Sequence, residues 1–363
     1  MKNTVRRVVK RAVLRAAICL AAAGSLLAAP SGAPQPAPLP APAATPTPSA
    51  VESIREAAVA LKPLATFELT RAFLEATSTL PSIAPRTLLR NAAKTRYYTQ
   101  AEATALPGTE RSTVTETTIE EPFYYNTRYG SPLAYVRPLE ILAKAGISKL
   151  AGLKILDFGY GSIGHLKLMA ALGAEVVGVE VDPLLRALYA AEGDQGRVAG
   201  KGGSAGSVRL VDGQYPAAAP VKKEVGEGYD VIVSKNVLKR GYIHPERPAD
   251  ESRLVHLGVD DATFVRTLHS ALNPGGRLLI YNLCPAPAPP DKPYVPWADG
   301  RSPFPREMWE EAGFRVIAFD ADDGEAARAM AHALGWDAGE PGMNLAQDLF
   351  ATFTLVARPP GPS

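Results

Sequence analysis

From Leu150 onward, short apolar runs alternate with segments of helical spacing, and this alternation most constrains the fold. The apolar runs are LKILDFG, EVVGVEV, VRLVDG, YDVIVS and GRLLIYN. Between them, helical spacing predicts helices over about 164–172, 183–191 and 260–272. Such an order specifies an α/β domain, a doubly wound Rossmann-like sheet with helices on both faces. Two more strands, FRVIAFD at 314–320 and LFATFTLVA at 349–357, close the chain as a pair, with one helix expected near 323–334.

The region before Leu150 reads differently. Residues 1–29 join a basic stretch to the short apolar run AAICLAAAGSLLAA, the pattern of a signal peptide or a membrane anchor. Residues 30–50 are rich in Pro and Ala and read as a disordered linker. Residues 51–149 then read as a helical pre-domain with a lid segment, and residues 150–358 as the main domain. The leader implies an exported or membrane-associated protein, whereas translation beginning near Val51 would give a cytoplasmic one.

Charge narrows the partners. Residues 1–50 hold six basic side chains and no acid, so of 39 basic and 37 acidic residues, 33 and 37 remain from residue 51 onward. A folded body of that sign is expected to act on a small molecule and not on nucleic acid. The two cysteines, Cys19 and Cys284, offer neither a disulfide framework nor a zinc spacing, and no metal is expected. No motif fixes the oligomeric state.

The first chemical motif is KILDFGYGSIGHL. A strand ends at Asp157, and Gly159, Gly161 and Gly164 follow before a helix opens. Glycines let the backbone turn sharply and approach a ligand, and the helix start offers unpaired N–H groups. Glu180 follows Asp157 by 23 positions, near the offset at which an acid meets ribose hydroxyls. Asp182, just before Pro183, reads more naturally as a helix cap. Asp212, ending the third strand, can hold an exocyclic amine or merely open an Asp-Gly turn.

Residues 150–358 therefore resemble a class I S-adenosylmethionine-dependent methyltransferase. The resemblance rests on LDFGYGSIG, VVGVEVDP, the aspartate of VRLVDG, YDVIVS and LNPGGRLLIYN, with the closing strand pair. It implies that Gly159, Gly161 and Gly164 wrap the methionine part of S-adenosyl-L-methionine, Glu180 the ribose and Asp212 the adenine. Asp157 and Ser234 are further candidates for cofactor contact. One departure is visible: the family often has its third glycine where Ile163 stands. An NAD(P)-dependent Rossmann oxidoreductase would share the glycine loop and Glu180, but gives no reason for the terminal strand pair. An exported non-catalytic binding protein retaining the fold is the remaining alternative.

The stretch VIVSKNVLKRGYIHP gathers hydrogen-bonding side chains where the fourth strand ends, the place for an acceptor in such a sheet. His244 is the expected base from its intrinsic pKa, with Tyr242 and Lys235 as alternatives. Asn236, Tyr129 and Arg128 are the expected substrate contacts, the last two from the aromatic segment 123–138. The Pro-rich segment 282–305 is expected to form an ordered loop over the site. The Asn/Asp-Pro-Pro-Tyr signature of enzymes that methylate planar amide or amine nitrogens in DNA or glutamine is absent. That leaves methyl transfer to an O or N atom of a small molecule as the expected reaction.

Overall fold

The computed structural model describes residues 49–200 and 203–361. The leader and nearly all of the linker lie outside the described residues. Among the described residues no helix is long and apolar enough to cross a membrane.

Helix Ala50–Leu61 opens the described chain. Ser49 caps it, its hydroxyl accepting from the Glu52 amide while the Glu52 carboxylate accepts from the Ser49 amide. Val51, Ile54, Ala58 and Leu61 fall on one buried stripe, and Pro63 turns the chain out of the helix. A second helix, Glu68–Glu75, packs with Val136–Lys144. Glu140, buried among them, accepts from the Thr66 amide at 2.8 Å and from the Thr66 and Thr70 hydroxyls. Burial pushes its carboxyl up, but those donors outweigh it and hold the pKa below the usual value.

To these helices the structure adds a small antiparallel sheet that the sequence does not announce. Its strands are β1 (Arg86–Arg90), β2 (Tyr97–Tyr98) and β3 (Thr115–Ile119), in the order β2-β1-β3. RTLLR and TETTI lack a clean apolar alternation, so no period marks them.

The main sheet is built from β4 (Lys154–Phe158), β5 (Glu175–Glu180), β6 (Gly196–Ala199), β7 (Ala205–Asp212), β8 (Tyr229–Lys235), β9 (Leu272–Cys284), β10 (Arg315–Asp322) and β11 (Phe350–Ala357). Their spatial order is β10-β11-β9-β8-β4-β5-β7-β6. Strands β9, β8, β4, β5 and β7 run parallel, whereas β11 is antiparallel to β9 and β10 to β11. An antiparallel β6 covers the far edge of β7. This doubly wound sheet with its closing pair is the fold that the resemblance implied.

Both faces of the sheet are buried, which is why its central strands read as unbroken Val/Ile/Leu runs. On one face lie helices Gly164–Ala171 and Gly324–Ala333, with the N-terminal helices in the same continuous core. On the other lie helix Asp261–Ala271 and Trp309. Ion pairs sew the pre-domain to the body: Arg86 to Asp194 and Arg137 to Asp323, the latter at 2.7 Å. Tyr124 also donates its hydroxyl to Asp194 at 2.6 Å.

The chain order reverses between β4 and β8, since β5 and β7 build away on one side and β8 and β9 on the other. Ligand crevices form outside the carboxyl ends of strands at such a switch. A cavity of about 1130 Å³ opens there, lined from β4, β5 and β8 and from the segments over them.

Candidate active site

One half of the cavity is made by the loops after β4 and β5. Gly159 and Gly161 both have positive φ, 75° and 60°, a region open to glycine at little cost. A Cβ on Gly161 would stand 2.8 Å from the Tyr129 side chain, and one on Gly159 would run into Val237. Gly164 does not line the cavity; a Cβ there would meet Pro132 at 2.9 Å. Its smallness serves close packing of the preceding segment.

Glu180 ends β5 beside this loop. Its Oε2 accepts from the Gly161 amide at 3.3 Å and its Oε1 from the Val181 amide at 2.8 Å. Burial pushes its carboxyl up to about 7 despite those donors. Asp182 is committed elsewhere: it caps helix Pro183–Leu188 through the Leu184 amide and accepts from Arg128 and the Tyr129 hydroxyl at 2.5 and 2.9 Å. Arg128 and Tyr129 thereby clamp the 123–138 segment across the glycine loop, helped by a Thr127 hydroxyl donating to the Gly161 carbonyl at 2.8 Å.

Below the loop, Asp157 is fully buried, with one oxygen 2.6 Å from His165 Nε2 and the other without a partner. Burial lowers the pKa of His165, and Tyr135 stacks flat on its ring at 3.6 Å between centroids. His165 is missing from the sequence-derived candidates, although its place one residue after Gly164 puts it on the first turn of the helix. Asp212 falls outside the lining: its carboxylate faces Arg186 at 4.0 Å, and Gly213, Gln214 and Tyr215 form the wall beyond β7.

The second half of the cavity is lined by side chains. Lys235, at the end of β8, is only 8% exposed; its ammonium has no hydrogen-bond partner among the described residues and stands 5.4 Å from the Tyr135 ring. Burial lowers its pKa to about 8, opposed by the Asp157 charge. Asn236 takes a positive φ of 64°, which asparagine tolerates. Its side-chain oxygen accepts from the Leu283 amide at 2.7 Å, so it joins β8 to β9 while lining the cavity. Ser234 is buried outside the lining with its hydroxyl unpartnered.

Lys239 and Tyr242 also line this half, burial holding the Tyr242 phenol up at about 12. His244 does not line it. Its side chain is 43% exposed and its Nε2 lies 2.7 Å from an Asp261 oxygen. The Pro-rich segment does come over the site, contributing Cys284, Pro285 and Trp297. Burial raises the Cys284 thiol pKa, away from a nucleophile's range. Arg253, Trp336 and Met343 also reach the cavity, from segments that carry no local signal.

No protein-family model matches the chain. Nor does any curated protein. Among solved structures it is similar to an S-adenosylmethionine-dependent methyltransferase from Mesorhizobium loti, 16% identical over 62% of this chain and 98% of that one, with a TM-score of 0.36. It is similar to phosphoethanolamine N-methyltransferase 2 of Haemonchus contortus, whose structure holds phosphomonomethylethanolamine and S-adenosylhomocysteine. That likeness has 13% identity, covers 80% of this chain and 75% of that one, and has a TM-score of 0.36. The [4+2]-cyclase SpnF scores the same 0.36, with 16% identity over 62% and 81% of the two chains.

Proposed function

We propose that this chain is an S-adenosylmethionine-dependent methyltransferase acting on an O or N atom of a small molecule. The observation that carries the reading is one cavity, at the sheet's switch point, walled by the Gly159–Gly161 loop and Glu180 on one side and by Lys235 on the other. The residues fit the cofactor. Two positive-φ glycines leave a backbone cradle, and a half-buried carboxylate ends β5 where ribose hydroxyls would donate to it. Asp157 keeps one buried oxygen without a partner beneath the same loop. When bound, S-adenosylmethionine supplies a methyl carbon already activated by its sulfonium.

The protein's remaining tasks are alignment and removal of a proton from the acceptor. Lys235 suits the second. An exposed lysine is charged at neutral pH and accepts no proton, but burial brings Lys235 to about 8 and makes its neutral form available. Its amine faces the cavity with no competing hydrogen bond. His244, the base expected from intrinsic pKa, is turned to Asp261 outside the lining, and Lys235 replaces it in this reading.

Calorimetric titration with S-adenosylhomocysteine tests the reading. Micromolar binding is expected for the wild-type chain and at least a hundredfold loss in Gly161→Val, whose side chain would enter a strained φ and meet Tyr129. Absence of binding to the wild-type chain, or binding of NAD in its place, overturns it.

A further inference from the structure

Two buried ammonium groups stand in the acceptor wall, and neither has a carboxylate within ion-pair distance among the described residues. Half-buried guanidiniums here do: Arg86 has Asp194 and Arg137 has Asp323, whereas the buried Lys167, away from the cavity, donates to the Gly193 carbonyl at 2.8 Å. Lys239 is only 3% exposed, yet it lines the cavity. Its ammonium donates to the Leu283 carbonyl at 2.6 Å and the Trp297 carbonyl at 3.1 Å. A lysine has three donors, so one remains. Asp299, the acid whose charge bears on Lys239, is taken up by Arg301 at 2.7 Å. Asp157, behind Lys235, is held by His165.

The surroundings of Lys239 are flat and apolar. Its ammonium lies 5.5 Å from the Tyr242 ring, and Trp297 lines the same wall beneath the Arg253 guanidinium at 4.9 Å. Keeping an unpaired ammonium in such a place is costly, and a partner that arrives with the ligand removes the cost. The two carbonyls hold the head in one position and so pre-organise it.

We infer that Lys239 anchors a carboxylate carried by the acceptor, whose flat body lies against Tyr242 and Trp297. That the anion belongs to an acceptor rests on the methyltransferase reading, but the anion site itself is made by Lys239 and its neighbours. The acceptor class is thus a small aromatic or otherwise planar acid. Its nucleophilic atom lies on the body and its carboxylate is spent on binding.

Benzoate and its neutral isostere benzamide probe the site directly, titrated into the full chain saturated with S-adenosylhomocysteine. Benzoate is expected to bind roughly tenfold to a hundredfold more tightly than benzamide. That preference is expected to vanish in Lys239→Met and to return in Lys239→Arg. S-adenosylhomocysteine affinity should stay unchanged in both variants. Equal affinities in the wild-type chain overturn the inference, and that comparison does not depend on whether a variant folds. Competition between benzoate and S-adenosylhomocysteine, with loss of the latter in Lys239→Met, would assign the cation to the cofactor's own carboxylate and overturn it as well. Should S-adenosylhomocysteine fail to bind at all, the methyltransferase reading falls, while the benzoate preference still decides the anion site.

Discussion

The two halves of the cavity are built on different principles. The cofactor half is mostly backbone: Gly159, Gly161 and the amide that Glu180 accepts from lie within one or two turns of the strands that carry them. The acceptor half is side chains from separated stretches: Lys235 at the end of β8 and Lys239 after it, Arg253 beyond them, Trp297 from the Pro-rich segment and Trp336 near the end. A site made of backbone depends on φ and ψ, which neighbouring residues set. A site made of side chains depends on which segments the fold brings together. In the proposed reading the first half is therefore generic to a nucleotide-like ligand, and the second carries the specificity.

That contrast can be broken by mutation. Lys235→Met is expected to lower kcat by roughly 10² to 10⁴ while leaving S-adenosylhomocysteine affinity intact. The lysine accepts a proton only when neutral, so the wild-type rate should rise with pH through about 8, and the variant's profile should lose that limb. A variant that loses cofactor affinity instead would place Lys235 in the cofactor half.

Glu180→Gln sharpens the other side. Loss of a charged hydrogen-bond acceptor should weaken S-adenosylhomocysteine by roughly tenfold to a hundredfold, with little change in benzoate binding. The pH signature follows from linkage. Folding raises the Glu180 pKa from 4.5 to about 7, so between those values the folded chain holds a proton that the unfolded chain has released. Stability of the ligand-free chain should thus fall as pH rises through that window. Melting temperatures at about pH 5 and about pH 7.5 should show a smaller fall in the variant. Equal slopes would mean that Glu180 is solvated.

The smallest effect belongs to His244→Ala. An exposed pair such as His244 with Asp261 contributes about 0–1 kcal/mol, so stability should fall by no more than about 1 kcal/mol and kcat should stay within about twofold of wild type. A loss of two orders of magnitude would restore His244 to the reaction.

Much of the cofactor half was legible because its signals are local. The strand, glycine loop and helix of KILDFGYGSIGHL and the acid ending β5 all lie where spacing puts them. Even there the third glycine misleads, since Gly164 makes room for Pro132 and Tyr125. Asp212 misleads for a related reason: strand position says that it ends β7, but not that its side chain turns toward Arg186. His165 went unnoticed because a lone histidine on a helix has no period or motif.

In the acceptor half, VIVSKNVLKRGYIHP supplies Lys235, Asn236, Lys239 and Tyr242 to the cavity lining but not His244. Intrinsic pKa favoured His244, whereas burial separates the two: His244 is exposed beside Asp261 and Lys235 is buried with a lowered pKa. Burial is a property of everything packed around a group, including segments fifty or a hundred positions away. The sequence by itself determined the parallel sheet, its closing strand pair and the glycine turn, because hydrophobic period and backbone freedom are local quantities. Only the tertiary structure decided which cations were desolvated, which carboxylates were already taken and which aromatics faced them. Those depend on distances between segments, and no local pattern records them.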